Sequence, residues 1–154
     1  MSGANVQCFR TLSLPVAESR EWDDLLGRMP AATVFQSLAW LQEWFPVYGE
    51  GWSPLILRVA AAGGSEVLGY APLMVGRGNF LKRVMPDWRE VRLIGDREPA
   101  NSDFGGFICR EDRRQEFMDA VLAQLSRRNG VEWDVLRLSN LADEQYTGIL
   151  QSMM

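Results

Sequence analysis

The strongest constraint on the fold is a strand, an amphipathic helix and a second strand that follow one another in the second half of the sequence. The first strand is "EVRLIG" over residues 90–95, and the second is "WDVLRLSNL" over residues 133–141. The helix between them extends from about residue 111 to residue 128, with acidic residues in its first turn and basic residues in its last. Its apolar side chains recur on one helical face: Phe117, Met118, Val121, Leu122 and Leu125. Because such a crossover places the last strand parallel to a neighbour, we expect an α/β fold.

The apolar pattern elsewhere in the chain predicts the remaining elements. Ser37 is suited to be the N-cap of a helix that Gly49 would close. Pro72 has no N–H group for a ladder, so it predicts an edge position or a bulge in its strand. The other predicted elements are a strand over residues 7–14, a helix over 17–28, a helix over 38–48, a hairpin with arms 54–60 and 66–75, a loop with at most a short strand over 76–86, and a last helix over 142–153.

The order of these elements is β-α-α-β-β-β-α-β-α. No internal repeat or low-complexity linker divides the chain. We therefore expect a single α/β domain over residues 1–154, in which helices flank a mixed β-sheet that is incomplete at its C-terminal end.

The composition argues against several functional classes. The chain has no histidine, so it lacks the commonest metal ligand and general base. Cys8 and Cys109 are isolated and form neither a disulfide framework nor a metal motif. The net charge of −4 does not favour a nucleic-acid partner. No apolar run suits a membrane helix and no signal peptide is recognisable, so we expect a cytoplasmic protein without a membrane span.

Five segments, spread over most of the chain, carry a resemblance to a known family. They are "TVFQSLAWLQEW" at residues 33–44, "EVLGYAPLMV" at 66–75, "VRLIGD" at 91–96, "SDFGGF" at 102–107 and "WDVLRLSNL" at 133–141. Together with the element order, they resemble the GNAT superfamily of acyltransferases. The sequences of these segments are most similar to the CelD/BcsL-like acetyltransferases of cellulose and exopolysaccharide biosynthesis, which are related to the Fem aminoacyl transferases.

The resemblance implies a bacterial protein with two GNAT-like lobes. The second lobe would bind acetyl-CoA or another acyl-CoA, and the acceptor, a sugar or envelope precursor, would lie between the lobes. Since this chain covers only one lobe, the resemblance identifies it with the N-terminal, substrate-side lobe. Its partner would be the second lobe or, in a homodimer, a second copy of the chain.

The loop with which a GNAT domain holds the coenzyme A pyrophosphate is not recognisable in this sequence. That loop has the pattern Gln/Arg-x-x-Gly-x-Gly/Ala at the start of a helix, where backbone N–H groups and the helix N-terminus favour phosphate. Gly105 and Gly106 have a different spacing, and Glu111 and Asp112 in the following helical turn would repel a pyrophosphate. No helix closely follows the glycine pair of residues 76–78. We therefore expect no cofactor site in this chain.

The sequence does not single out a catalytic base for acyl transfer. Several carboxylates could serve in principle, and no spacing selects among them: Glu66, Asp87, Glu90, Asp103 and Asp134. The catalytic residues stay unassigned, and we expect the isolated chain to be inactive.

Four residues are candidates for substrate binding: Trp40, Arg77, Asp103 and Phe104. Trp40 could form an aromatic wall for a sugar or lipid, although aromatic residues at the spacing of Trp40 and Trp44 more often belong to a core. Asp103 and Phe104 lie in the "SDFGG" loop, where an α/β fold places ligand contacts, and an Asx-turn is the alternative for Asp103.

Arg77 opens a basic stretch that could bind an anionic sugar or a nucleotide diphosphate. A solvated surface is the alternative for this stretch. Its basic members are Arg77, Lys82, Arg83, Arg89, Arg92 and Arg97.

Three hypotheses of function stay open at this point. The first is the substrate-side lobe of an envelope or exopolysaccharide N-acyltransferase. The second is a non-catalytic binding or dimerisation module, because a sheet that lacks its last strands exposes an edge that can pair. The third is a truncated remnant of such an enzyme.

Overall fold

The computed structural model describes residues 3–78, 88–98, 100–102, 105–126, 132–139 and 141. Short 3-10 turns at Val34–Gln36 and Glu111–Arg113 precede the second and third helices. The helices are α1 (Val16–Gly27), α2 (Leu38–Tyr48) and α3 (Arg114–Ser126). The strands are β1 (Asn5–Phe9), β2 (Trp52–Ala60), β3 (Val67–Arg77), β4 (Arg89–Leu93), β5 (Ile108–Cys109) and β6 (Val135–Arg137).

The six strands form one mixed sheet. Its order is β1-β2-β3-β4-β6, and β5 pairs separately with β3. All pairs are antiparallel except β4 with β6, which are parallel across the connection that contains α3. The mixed α/β class and the parallel position of the last strand, both predicted from the sequence, are therefore confirmed.

Most element bounds follow the local signals in the sequence. The Ser37 hydroxyl accepts the Trp40 N–H at 3.2 Å, and Gly49 ends α2 by donating its N–H to the Phe45 carbonyl at 2.8 Å. The first strand ends at Phe9 and not near residue 14, because the Ser13 N–H turns back to the Thr11 hydroxyl at 3.0 Å. No helix in the described ranges has the length and apolar character needed to cross a membrane.

The loop predicted over residues 76–86 is only partly described. Gly76 and Arg77 belong to β3 and not to a loop, while residues 79–87 lie outside the described ranges. The basic last turn and the Asn-Gly end predicted for the third helix, over residues 127–130, also lie outside them, as does the last helix predicted over residues 142–153.

One strand position of the sheet is interrupted. β4 pairs with the second half of β3, from Leu73 to Arg77, whereas β5 pairs with Gly69 and Tyr70. The chain leaves the sheet between the two strands, and we call the described residues of this segment, 94–98, 100–102 and 105–107, the excursion. β5 was not predicted, because a strand of two residues is too short to show a period.

Pro72 lies opposite this interruption. It pairs with Ile56 of β2, and its carbonyl accepts the Ile94 N–H at 2.8 Å. The predicted edge position or bulge is therefore wrong, since β3 is an interior strand and the register shift lies at Val59/Ala60 of β2. Proline can occupy an interior strand only where no neighbouring strand needs its missing N–H. Here the side of Pro72 that lacks the N–H faces the gap between β4 and β5, so no ladder hydrogen bond is lost.

Side chains alternate along the strands to fill a core on each face of the sheet. On one face, α3 packs Phe117, Met118 and Val121 against the apolar residues of β2, β3 and β4. On the other face, α1 and α2 pack Trp22 and Trp44 against Ile56, Tyr70 and Met74. The domain is thus a three-layer sandwich, with α1 and α2 on one side and α3 on the other.

A polar cluster joins α1 to the sheet at the edge of the second core. The Arg58 guanidinium donates to both carboxylate oxygens of Glu21, at 2.7 and 2.9 Å, and the Tyr70 hydroxyl donates to Glu21 at 2.5 Å. Burial by itself raises the pKa of Glu21, but the hydrogen bonds from Arg58 and Tyr70 and the Arg58 charge outweigh it and hold this pKa below its ordinary range. Burial, with Glu21 as acceptor, raises the pKa of Tyr70.

We predict that Glu21→Gln destabilises the protein by about 1–3 kcal/mol near neutral pH, because it removes a charged acceptor from two donors. Since the folded pKa of Glu21 is below its ordinary value of 4.5, its contribution is present above that value and is lost as the pH falls through the folded pKa. Denaturant unfolding over an acid-to-neutral pH series should show the difference from the natural chain shrinking towards acid pH. Glu43→Gln, at an exposed position of α2, is the control. A difference that stays constant across the series would contradict the prediction.

Candidate functional site

An open polar cleft lies at the carboxyl ends of the parallel strands β4 and β6. Its volume is about 270 Å³. Arg92 and Arg137 are register partners on these strands, so their side chains emerge on the same face of the sheet. The excursion supplies the opposite wall. We call this site the β4–β6 cleft; its lining residues are Trp52, Arg92, Asp96, Arg97, Glu98, Asn101 and Arg137. Crevices at the carboxyl ends of parallel strands are where open α/β sheets bind ligands.

Arg92 belongs to the floor of the cleft and its charge is already neutralised. Its Nε donates to a carboxylate oxygen of Glu90 at 2.6 Å, and Nη2 lies 2.5 Å from the same oxygen. Its guanidinium also lies 5.2 Å from the centre of the Trp52 ring. Arg92 is 9% exposed and Glu90 is 2% exposed. Because a buried ion pair is costly to break, Arg92 stays paired with Glu90. It supports the floor of the cleft and is not a free cation for a ligand.

The rim of the cleft carries charged groups that do not pair with each other. Asp96 is buried and accepts a hydrogen bond from the Ser139 hydroxyl, while Arg97 donates to the carbonyls of Tyr48 and Glu50 at 2.6 and 2.7 Å. Among the described residues, none of the rim charges forms an ion pair: Asp96, Arg97, Glu98 and Arg137. Two positive and two negative charges leave the rim neutral overall.

Asn101 completes the rim with an unfilled hydrogen-bond acceptor. Its side-chain N–H donates to the Glu98 carboxylate at 2.6 Å. Its carbonyl oxygen, Oδ1, is shielded from solvent and has no partner within the part of the chain that the structure describes. A buried acceptor without a donor is costly, so this oxygen is a point of local strain beside the cleft.

The excursion is attached to α2 by indole N–H groups. Trp40 donates to the Ser102 hydroxyl at 3.1 Å, and Trp44 donates to the Ala100 carbonyl at 2.9 Å. Within the excursion, the Ser102 N–H bonds the Gly95 carbonyl at 2.7 Å. Both tryptophans therefore position the wall of the cleft, and the apolar ring with a polar tip is what suits tryptophan to this task.

The four sequence candidates are not brought together. Trp40 is half-buried, packs edge-to-face on Phe35 with ring centres 5.3 Å apart, and does not line the cleft. Arg77 is exposed at the end of β3 and pairs with Arg89, at the end of β4 that lies away from the cleft. Asp103 and Phe104 lie outside the described residues.

The basic stretch divides between two places. Arg92 and Arg97 line the cleft, while Arg77 and Arg89 lie at the far end of β3 and β4. Lys82 and Arg83 lie outside the described residues. Sequence reasoning missed Trp52, Asp96 and Arg137, which are distant in the chain. Strand pairing brings Trp52 and Arg137 to the cleft, and the excursion brings Asp96.

The carboxylates considered as bases do not converge either. Glu66 pairs with Arg110 and Arg113 on the surface, and Glu90 pairs with Arg92 under the cleft. Asp134 accepts the Arg89 N–H at 2.8 Å. Asp87 and Asp103 lie outside the described residues.

Comparison with known proteins does not assign a family to this chain. No family model matches its sequence, and no curated protein matches it either. The functional interpretation therefore depends on the topology and on the geometry of the β4–β6 cleft.

We predict that Trp44→Phe loosens the excursion without unfolding the domain. The substitution keeps an aromatic ring in the core but removes the donor to Ala100, a hydrogen bond worth about 1 kcal/mol. Amide hydrogen exchange at Ser102 should become faster. Trp133→Phe is the matched control, because its indole donates to the Leu125 carbonyl elsewhere in the domain. Equal acceleration of Ser102 exchange in both variants would contradict a specific role of Trp44.

We also predict that Gly95→Ala is more harmful than the same change at Gly63. Both glycines have positive φ, +101° and +92°. A methyl group at Gly95 would lie 2.9 Å from the Ser102 Cβ, whereas at Gly63 nothing lies within 4 Å. Both variants lose stability through backbone strain, and only Gly95→Ala adds a clash. Denaturant unfolding should therefore show a loss of unfolding free energy that is about 1–3 kcal/mol larger for Gly95→Ala than for Gly63→Ala. Equal losses would show that the Ser102 contact does not constrain the excursion.

Proposed function

We propose that this chain is the substrate-side lobe of a two-lobed, GNAT-type N-acyltransferase and that the β4–β6 cleft receives part of the acceptor, a sugar or envelope precursor. The observation that carries the proposal is a polar cleft at the carboxyl ends of two parallel strands, with one wall fixed by α2. The element order and the five family-like segments support the same interpretation.

The surroundings of α3 support binding of the acyl-CoA outside this lobe. A pyrophosphate needs exposed N–H groups at the start of a helix. Here an acidic 3-10 turn, Glu111–Arg113, precedes α3, and Arg110 binds the Asp112 carboxylate at 2.7 Å. The hydrogen bonds and charge of Arg110 hold the pKa of Asp112 below its ordinary value, so this residue keeps its negative charge.

The other glycine pair also lacks room for a phosphate. The space beside Gly76 is filled by the Trp52 ring, and the space beside Gly78 is filled by the Glu90 side chain. Side chains therefore cover one face of the backbone at each glycine, and the Gly78 N–H already donates to the Trp88 carbonyl at 3.1 Å. In the proposed enzyme a second, different lobe supplies the acyl-CoA site.

The described residues also support a binding role rather than a catalytic one. Within the β4–β6 cleft, Asp96 and Glu98 are the carboxylates, and each already accepts a hydrogen bond from a neutral side chain. No histidine is present in the chain to act as a base. The lobe thus holds and orients an acceptor, and the amine is deprotonated by groups that the second lobe provides.

We predict that isothermal titration calorimetry of the full chain with acetyl-CoA gives no saturable heat at micromolar concentrations. The control is the same titration with Glu111→Gln/Asp112→Asn, which removes the acidic repulsion. This variant should also fail to bind, because the covered glycines leave no site for the pyrophosphate. Clear micromolar binding by the natural chain would place the donor site in this lobe and would contradict the proposal.

A further inference from the structure

The charge balance of the β4–β6 cleft restricts the ligand that it can accept. Arg92 is neutralised by Glu90, so the charges available to a ligand are those of Asp96, Arg97, Glu98 and Arg137. A phosphate or carboxylate placed among them would be attracted by two guanidinium groups and repelled by two carboxylates. Since these interactions are of the same order at similar distances, the cleft does not favour an anion.

We infer that the β4–β6 cleft binds one uncharged, polyhydroxylated ring, as in a single neutral sugar residue, and not a phosphate or a nucleotide. A hydroxyl group both donates and accepts hydrogen bonds, so a ring with adjacent hydroxyls matches a rim of mixed donors and acceptors. This inference rests on the proposed function and names the part of the acceptor that the cleft holds. The amine that receives the acyl group would lie on a neighbouring part of the same acceptor, outside the cleft.

The side chains of the rim suit pairs of adjacent hydroxyls. The carboxylates of Asp96 and Glu98 accept, and the guanidinium of Arg137 donates through a planar fork. The side-chain N–H of Asn101 donates to the Glu98 carboxylate at 2.6 Å and so holds this acceptor in place on the rim. Trp52 adds an apolar wall beside these polar groups.

The size of the cleft limits the ligand to one ring. Its volume of about 270 Å³ lies just below the range of about 300–1,000 Å³ for pockets that enclose drug-sized ligands. A dinucleotide or an oligosaccharide would not fit inside. Because the cleft is open, a longer acceptor could place one residue in it and extend into solvent.

The test uses NMR titrations of the full chain, following the Trp52 indole N–H and the Asn101 side-chain amide. The probes are the methyl glycosides of glucose, galactose and mannose, with inorganic phosphate and glucuronate as charged competitors. We expect at least one uncharged glycoside to shift both signals at millimolar concentration, and phosphate to leave them unchanged. Phosphate or glucuronate acting at lower concentration than every glycoside, or no response to any glycoside, would overturn the inference.

Glu98→Gln gives the sharper comparison, because Glu98 is exposed and its loss should not affect folding. The variant has one net positive charge on the rim and one weaker acceptor. Glycoside binding should weaken about tenfold, while phosphate binding should become detectable. Glu43→Gln, on the exposed face of α2, is the charge-matched control, and Arg28→Gln, after α1, changes the net charge in the opposite sense. Neither variant should alter the affinity for either ligand.

If Glu98→Gln leaves both affinities unchanged, the charge balance does not select the ligand and the inference is wrong. The result is separable from the proposed function: acetyl-CoA binding to this chain would refute the division into lobes and leave sugar binding intact. Conversely, a failure of all glycosides would leave the acetyl-CoA result unaffected.

Discussion

The gap between β4 and β5 is the constraint on which the rest of the structure depends. Both strands pair with β3, so the chain must leave the sheet between them and return. Pro72 lies on β3 opposite the gap, where its missing N–H has no partner to lose. A continuous strand at this position would leave no excursion and no wall for the cleft. The interruption thus turns a regular sheet into one with a polar crevice at its parallel end.

The second helix determines how well this crevice is formed. Trp40 and Trp44 lie one helical turn apart, with their rings in or beside the core and their N–H groups on the excursion. Arg97 adds a contact in the opposite direction, because its guanidinium in the excursion donates to the carbonyls of Tyr48, at the end of α2, and Glu50, just after it. Packing of α2 against the sheet and the geometry of the cleft are therefore coupled. A substitution in the core under α2 should shift the side chains on the rim of the cleft.

Long periodic elements could be predicted from the sequence, whereas the cleft could not. The helices α1 and α2 and the hairpin of β2 and β3 are long enough to show a hydrophobic period, and their predicted bounds are close to those observed. β5 has two residues and no period. Trp40 is a candidate for substrate binding on sequence grounds, whereas in the structure its indole N–H donates to Ser102. Ser102 lies 62 positions away, and no local signal connects the two residues.

The basic stretch shows why sequence proximity is a poor guide to charge in a sheet. Because side chains alternate along a strand, residues that are close in sequence can lie far apart in the fold. Arg89 lies at the end of β4 away from the cleft, while Arg92 lines the cleft and Glu90 neutralises its charge. Arg137, which forms no ion pair with any described residue, comes from β6 and is placed on the rim by the parallel pairing of β6 with β4. Asp96 and Glu98 enter from the excursion. Only Arg92 and Arg97 of the positive segment reach the cleft, where carboxylates balance the positive charges, so a positive segment of sequence does not make a positive site in the fold.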